Sequence, residues 1–372
     1  MSQAFDRPIA LALSGGGIRA MAFHLGVLKW MAERSLLEKV ARISTVSGGS
    51  LLTGLVYQSN DFKWPSSRHF LDVTLPEVSE LLCTRSMQLG ALRMLLRPRN
   101  WKFLMSRSNL LARELIENWG MGVTLSVIPR VPEWSINGTT AENGKRFRFK
   151  GTQIGDWALG YAEAPNFPLG CALAVSAAFP IGFGPLAIAP KDFEWRYGEW
   201  GTKPEDRKPV EIKYRRLHLY DGGLYDNLGA EPFFHPGTQT AKMAGDYVIV
   251  SDAGAPLGEG MDAGPLSPFR VKRLMDIVME QCRALRVRAF ANYLQRNPDA
   301  GALLIIGTRG LNQTAADATF AKSFGTSLKK LSRDEFDKLA NHGYAVAGAV
   351  ARDYGLCSEA QASGSTPDRL AM

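Results

Sequence analysis

The sequence of 372 residues predicts an α/β fold with a parallel sheet. The first fifty residues alternate in type: Pro8 to Leu13 has a strand pattern, Ile18 to Met31 repeats apolar residues at helical spacing, and Ala41 to Val46 again has a strand pattern. A β-α-β unit of this length joins parallel strands. Hydrophobic residues make up 45% of the chain, which is enough to bury a large core.

The elements that follow predict a helical insertion in the α/β domain. A second helix starts after Gly48 and Gly49, with Leu51 and Leu55 on one face. Residues 58–130 then interrupt the alternation of strands and helices. Thr74 and Glu77 form a capping-box pattern, and another helix is predicted from Leu110 to Trp119. We therefore predict one α/β domain over residues 1–310 that contains this insertion.

The rest of the chain supplies further strands and helices. Asn143-Gly144 predicts a hairpin turn, and Leu169 to Ala178 a buried helix. Strands are predicted over 211–220, 246–251 and 303–307, a helical extension packed on the core over 311–357, and a disordered tail over 358–372. A long amphipathic helix is indicated by the apolar series Val271, Leu274, Val278, Cys282, Leu285, Ala289 and Tyr293.

The net charge of +8 suggests an acidic partner such as nucleic acid, an anionic membrane or a phosphorylated substrate. Seven basic residues and no acidic one lie between Cys83 and Arg113, interleaved with leucine, methionine and tryptophan. This pattern favours peripheral contact with a phospholipid surface; a helical lid with water-facing arginines and an oligomer contact are the alternatives. No nucleic-acid-binding motif accompanies it. The residues expected at the membrane are Arg93, Arg97, Arg99, Trp101 and Lys102.

The four cysteines are scattered, so neither a disulfide framework nor a metal site is expected. The apolar run Ile9 to Leu13 is too short for a signal peptide, and we expect a cytoplasmic protein at the inner face of a membrane. The residues leave a homo-oligomer and a regulatory ligand open.

Three small-residue clusters follow predicted strands and could carry chemistry. They are Ser14-Gly15-Gly16-Gly17, Val46-Ser47-Gly48-Gly49 and Asp221-Gly222-Gly223. Because open α/β sheets place their sites at the carboxyl ends of strands, we expect the three to meet. A serine on a sharp strand-to-helix turn suits acyl transfer, backbone N–H groups of a glycine loop suit its oxyanion, and an aspartate suits the base.

Other residues compete for these roles. Ser14 and Ser176 are weaker candidates for the nucleophile, and Asp252 is the chief rival of Asp221. No histidine follows a strand in this way, which disfavours a Ser-His-Asp triad. The glycine loop also fits a dinucleotide fingerprint, but the second strand lacks the acidic residue that would hold the ribose.

In their order along the chain these motifs resemble the patatin-like phospholipase family. Gly15-Gly16-Gly17-Ile18-Arg19, Ser47-Gly48-Gly49, Ala174 to Pro180 and Asp221-Gly222-Gly223 match the family's oxyanion loop, elbow, small-residue helix and base motif. Two positions depart from the pattern, since Ala20 and Thr45 stand where the family has glycine. The resemblance implies a three-layer α/β/α fold with a mostly parallel sheet, to which this chain adds its insertion and C-terminal helices.

The resemblance also implies a phospholipase A or lysophospholipase without a cofactor. It implies a Ser47–Asp221 dyad that cleaves fatty-acyl esters of phospholipids or lysophospholipids through an acyl-enzyme. By the same match, Gly15, Gly16, Gly17 and Gly48 form the oxyanion hole, supported by Arg19, Gly222 and Gly223. The alternative is a non-catalytic or ligand-switched membrane-binding effector of this family.

Overall fold

The computed structural model describes residues 5–179, 184–199, 202–261 and 269–353, together with Gly264 and Ser267. The tail predicted at 358–372 lies outside these residues. The strands are β1 Ile9–Leu13, β2 Val40–Thr45, β3 Glu133–Thr140, β4 Arg146–Lys150, β5 Gln153–Asp156, β6 Gly160–Glu163, β7 Leu186–Ile188, β8 Trp195–Tyr197, β9 Lys208–Pro209, β10 Leu217–Asp221, β11 Phe234–His235, β12 Thr240–Ala241, β13 Tyr247–Asp252 and β14 Gly301–Ile305. The α-helices are α1 Gly17–Ala32, α2 Gly48–Gln58, α3 Ser67–His69, α4 Leu75–Thr84, α5 Met87–Arg93, α6 Arg107–Asn118, α7 Leu169–Ser176, α8 Gly223–Asp226, α9 Phe269–Arg296, α10 Ala315–Ser323 and α11 Arg333–Asp353.

Parallel strands form the centre of the sheet. They lie in the order β14-β13-β1-β2-β3, and antiparallel strands β4, β5, β6, β8 and β9 extend it beyond β3. Leu13, the last residue of β1, lies opposite Thr45 of β2 and Ser251 of β13. The carboxyl ends of the three strands therefore meet at one edge, as the β-α-β pattern predicts.

Strand β10 differs from the expectation, because it runs antiparallel to β3. One side of β3 is paired with β4 from Ser135 to Thr139, so β2 and β10 share the other side. β2 pairs up to Ile136 and β10 pairs from Gly138 to Thr140, and the two strands therefore meet end to end near Asn137. Asp221 reaches the same point as Ser47 by this route, and not as the end of another parallel strand.

Helices cover both faces of the sheet and confirm the three-layer α/β/α fold. On one face α1 and α2 pack against the strands, and α4, α7 and α11 pack around them. Helix α11 approaches α1 closely, since a Cβ on Gly26 would lie 1.8 Å from the carbonyl oxygen of Ala340. On the other face Phe290 and Leu294 of α9 pack with Val248 and Val250 of β13.

The start of the insertion corrects the capping-box interpretation. Helical structure begins at Ser67, where the Ser66 hydroxyl accepts from the His69 N–H, and a π-helical turn, Phe70–Thr74, continues into α4. Thr74 therefore has helical dihedral angles and its side chain caps nothing; it accepts a hydrogen bond from Ser59 at 3.0 Å instead. Within the described residues, no helix combines the length and the apolarity that a bilayer crossing requires.

The long helix α9 lies where the pattern predicts it, but its apolar series is buried only toward the C-terminal end, where Tyr293 is 8% exposed. Val271, Leu274, Val278 and Leu285 are exposed, whereas Phe290 and Leu294 make the contact with the sheet. Burial of α9 is confined to its C-terminal half, because the first half extends past the strands that would cover it.

Candidate active site

Ser47 occupies a strained turn between β2 and α2. Its φ of 49° and ψ of −118° are unusual for a residue with a side chain. The Ser47 N–H donates to the carbonyl oxygen of Ser176 at 3.1 Å and to the Ser176 hydroxyl at 3.0 Å, and its carbonyl accepts from Leu51. Backbone contacts on both sides therefore hold the turn, and the side chain stands over the N-terminus of α2, where the helix dipole favours negative charge.

Hydrogen bonds explain how the turn accepts Thr45 in place of glycine. The Thr45 hydroxyl is buried and accepts from the Ser50 hydroxyl at 2.8 Å and from the Trp134 indole at 2.9 Å. Ser176, a rival candidate for the nucleophile, is also buried behind the turn and donates to the carbonyl oxygen of Asn137 at 2.7 Å. Its position suits support of the turn rather than attack on a substrate.

The glycine loop packs directly against Ser47. A Cβ on Gly15 would lie 3.1 Å from the Ser47 Cβ, and one on Gly48 would lie 2.3 Å from the Gly17 carbonyl oxygen. The N–H of Gly15 already donates to the Asn227 carbonyl at 3.1 Å, so its expected role as an oxyanion donor does not fit. The N–H groups of Gly16, Gly17 and Gly48 donate to no acceptor among the residues that the structure describes.

Asp221 is 3% exposed and lies beside Ser47. Burial raises the pKa of this carboxyl group to about 7, while hydrogen bonds from the Gly223 N–H, at 2.7 Å, and from the Ser47 hydroxyl act in the opposite direction. Gly222 fits against the Asn137 backbone, where a Cβ would lie 2.5 Å from the carbonyl oxygen. A carboxylate with a pKa near neutrality and a hydroxyl donor is suited to accept a proton.

Asp252, the rival of Asp221, has a different environment. It ends β13, is fully buried and forms an ion pair with Arg283, whose guanidinium donates to it. Its other oxygen accepts from the Gly254 N–H at 2.9 Å. These contacts occupy the carboxylate and leave Asp221 as the better candidate for the base.

Arg19 supports the glycine loop from inside the protein. Its side chain is 1% exposed, and it donates to the carbonyl oxygens of Ala253, at 3.1 Å, and Phe324. Burial lowers the pKa of Arg19 to about 10, against the attraction of Asp252. A helix-surface salt bridge and phosphate binding, both open from the sequence, do not fit a guanidinium in this position.

The histidines lie away from the dyad. His24 is buried beneath the glycine loop and bonds to the Ser251 hydroxyl at 2.8 Å and the Ser14 carbonyl at 3.1 Å; burial lowers the pKa of its ring to about 4. His342 bonds to Gln313 and to the backbone of Ile306. Among the described residues, no group of three or more His, Cys, Asp or Glu side chains is arranged to hold a metal ion.

Asn227 belongs to this site and was not among the predicted residues. Its side-chain oxygen lies 2.4 Å from where Gly15 would carry a Cβ and 2.9 Å from the corresponding point on Gly223. The residue thus links the glycine loop to the base motif. The only signal in the sequence is its position six residues after Asp221. That spacing alone does not predict a contact with the glycine loop, because the contact depends on α8, which turns the chain back.

The expected membrane residues form an exposed surface on the insertion. Arg93, Arg97, Arg99, Trp101 and Lys102 are all exposed, and Glu117 pairs with Arg97 and Arg99. Beside them Met105 is 87% exposed, and Ser106 donates to the Pro185 carbonyl at 2.6 Å. Pro185 comes directly before β7. Because β7 pairs antiparallel with β10, Pro185 lies beside the end of β10 that carries Asp221. The surface, which we call the basic loop surface, comprises Arg93, Leu96, Arg97, Arg99, Trp101, Lys102, Leu104 and Met105.

Comparison with known proteins agrees with this fold. A family model described as patatin-like phospholipase matches residues 11–234. No curated protein matches the sequence. Human GIVD cytosolic phospholipase A2 is similar in structure, with a TM-score of 0.52 and 13% identity over 94% of this chain and 62% of that chain. Its complex with methyl gamma-linolenyl fluorophosphonate gives a TM-score of 0.51 and 14% identity over 94% of this chain and 58% of that chain. The chain thus spans about three fifths of the length of that protein, and the likeness at this identity concerns the fold.

Proposed function

The chain belongs to the patatin-like phospholipase family, and from this premise we propose that it is a serine acyl hydrolase that cleaves fatty-acyl esters of phospholipids or lysophospholipids. The observation that carries the proposal is the meeting of Ser47, on a strained turn, with the buried carboxylate of Asp221. Its tests are the release of fatty acid from phospholipid vesicles by the wild-type protein and the loss of that release on substitution of Ser47.

In the first half of the reaction Ser47 Oγ attacks the ester carbonyl while Asp221 takes the hydroxyl proton. The N–H groups of Gly16, Gly17 and Gly48 would then hold the oxyanion of the tetrahedral intermediate, each worth about 3 kcal/mol of transition-state stabilisation. When the intermediate collapses, its bond to the alcohol oxygen breaks and the leaving alcohol takes the proton from Asp221. This alcohol is a lysophospholipid when the substrate is a diacyl phospholipid, and the deacylated glycerophospho alcohol when it is a lysophospholipid. The fatty-acyl group stays on Ser47.

Water completes the second half. Asp221, again unprotonated, takes a proton from a water molecule that attacks the acyl-enzyme, and the same N–H groups bind the second oxyanion. Collapse returns the proton to Ser47 Oγ and releases the fatty acid. The residues that perform these steps need no metal ion or organic cofactor.

The pKa of Asp221 predicts how the activity depends on pH. Because the unprotonated carboxylate is the base, kcat/KM for a soluble ester should rise with pH and level off above an apparent pKa of about 7. The measurement is kcat/KM from pH 5 to 9 with an uncharged substrate. A profile that is flat across this range would argue against Asp221 as the base.

We also propose that the basic loop surface contacts an anionic membrane peripherally, at its cytoplasmic face. Its cations lie beside apolar side chains that face water, which is the composition of an interfacial segment. Glu117 pairs with two of its arginines, which reduces the attraction of this surface for an anionic membrane. Arg93 and Lys102 do not pair with Glu117.

The double variant Trp101→Ser/Met105→Ser tests this contact. We expect it to lower the hydrolysis of anionic vesicles about fivefold to tenfold, because two apolar anchors are lost. Hydrolysis of a short-chain soluble ester should not change. The matched control is Val127→Ser/Met243→Ser, which removes exposed apolar side chains near the amino ends of β3 and β13. Equal losses in both double variants would refute a specific contact.

A further inference from the structure

The first half of α9 projects beyond the edge of the sheet at which Ser47 lies. Arg283 bonds to Asp252 at the carboxyl end of β13, and Phe290 and Leu294 pack lower down on the same strand. The helix therefore runs from this edge toward the amino ends of the strands, and residues 269–282 extend beyond the edge. At 1.5 Å per residue, this segment is about 20 Å long.

A row of exposed apolar side chains runs along this projecting segment and ends just beyond it, at Leu285. Val271, Leu274, Val278 and Leu285 follow each other at steps of three, four and seven residues, so they share one face of the helix. Each has more than 60% of its surface exposed. Phe290 and Leu294, which pack on the sheet, lie on the opposite face. We call Val271, Leu274, Val278 and Leu285 the α9 stripe.

The charges of α9 indicate an anionic partner. The helix carries seven basic and two acidic residues, and its first turn contains no acid. Three of the cations are paired with acids: Lys272 with Asp276, Arg283 with Asp252 and Glu280, and Arg286 with Asp226 and Glu231. Arg273 and Arg288 form no ion pair with another described residue and supply the positive charge that remains. Cations in the first turn oppose the helix dipole, and negative groups outside the helix relieve that repulsion.

A second copy of the chain fits the stripe poorly. Arg270 and Arg288 lie along one border of the stripe, and no acidic residue of α9 borders it. Two such helices packed together would bring arginines near arginines without an acidic partner from either helix. An apolar row beside cations matches instead the acyl chains and phosphates of a phospholipid surface.

We propose that the α9 stripe is a second lipid-contact element, which acts with the basic loop surface to seat the Ser47 edge on an anionic phospholipid membrane. Both elements extend on the side of the sheet at which Ser47 and Asp221 meet. The inference rests on the proposed action at a phospholipid surface and adds the element that fixes the orientation.

The test is vesicle binding by the double variant Leu274→Ser/Val278→Ser in the Ser47→Ala background, so that binding is measured without turnover. Co-sedimentation uses vesicles of phosphatidylcholine and phosphatidylglycerol, with pure phosphatidylcholine as the uncharged comparison. We expect the affinity for anionic vesicles to fall about tenfold, because two partly buried apolar contacts are lost. The control Val127→Ser/Met243→Ser should bind like the parent.

Two results would overturn the inference. One is unchanged vesicle binding by the double variant; the other is a parent that is dimeric in sedimentation velocity and becomes monomeric in the variant with its vesicle binding intact, which would assign the stripe to a second copy. The proposed hydrolysis fails separately, since it depends on ester cleavage by the protein with Ser47. When Ser47 is present, the double variant Leu274→Ser/Val278→Ser should keep its activity on a soluble short-chain ester.

Discussion

Replacing Ser47 by alanine should lower phospholipid hydrolysis by about 10⁴-fold or more, to the background of the assay. The hydroxyl oxygen is the atom that forms the acyl-enzyme, and nothing else at the end of β2 can replace it. Alanine also fits the turn without new contacts, since the backbone N–H and carbonyl of residue 47 keep their bonds to Ser176 and Leu51. The measurement is fatty-acid release by the purified variant, with its thermal unfolding recorded alongside.

Two other serines provide the controls. Ser323→Ala changes an exposed side chain at the end of α10 and should leave activity unchanged. Ser176→Ala removes the hydroxyl that accepts from the Ser47 N–H, so it should lower activity about tenfold without abolishing it. Full activity in Ser47→Ala, or complete loss in Ser176→Ala with the fold intact, would contradict the assignment of the nucleophile.

Replacing Asp221 by asparagine should lower kcat by about 10³-fold or more while it stabilises the protein at pH 8. The amide cannot take a proton from Ser47, but its oxygen can still accept from the Gly223 N–H. Loss of activity with a gain in stability is the signature of a group that is retained for catalysis and not for folding.

The sign of the stability change follows from the pKa. The folded state holds the Asp221 proton up to about pH 7, whereas the unfolded chain loses it near the ordinary aspartate pKa of 3.8. The free energy of unfolding therefore includes a contribution from Asp221 that is fully present below the unfolded pKa and is lost as the pH rises to about 7. Asparagine does not ionise, so it loses no stability as the pH rises. The variant should therefore be more stable than the wild-type protein by about 2 to 4 kcal/mol at pH 8 and equally stable at pH 3.5.

Asp252→Asn is the contrasting variant. This side chain is as buried as Asp221 but is paired with Arg283, and its loss leaves that guanidinium with only one of its two acidic partners, Glu280. Burial raises the pKa of Asp252 as it does that of Asp221, but Arg283 opposes the shift, and we expect the loss of this ion pair to destabilise the variant by about 1 to 3 kcal/mol at pH 8, the opposite sign to Asp221→Asn. Chemical denaturation of the three proteins at both pH values measures this. A stabilised Asp252→Asn would show that the two aspartates have been assigned the wrong environments.

The sequence was sufficient where a local pattern fixes the structure. The β-α-β unit, the hairpin at Asn143-Gly144 and the long helix α9 all form where periodicity and turn residues predict them. The three motif clusters also come together, although the roles proposed for their residues await experiment. The β-α-β unit, the hairpin and the helix depend on neighbours within a few residues, whereas the three clusters meet because their strands end at one edge of the sheet.

Features that depend on distant contacts were not predictable. The direction of β10 is set by its pairing on the side of β3 that β2 leaves open, and nothing within residues 217–221 encodes this. Gly15 looked like an oxyanion donor until the structure placed the Asn227 carbonyl against its N–H. The amphipathic pattern of α9 does not show which of its apolar residues the sheet covers, because burial depends on how far the sheet extends beneath the helix.

The central claim is that Ser47 is activated by Asp221, and a fluorophosphonate probe tests it most directly. The probe forms a covalent bond only with an activated serine, and mass spectrometry of the digested protein identifies the residue that carries it. The account predicts one adduct, on Ser47, which forms faster as the pH rises through about 7 and is lost in Asp221→Asn. An adduct on another serine, or the absence of any adduct on a folded and vesicle-binding protein, would contradict it.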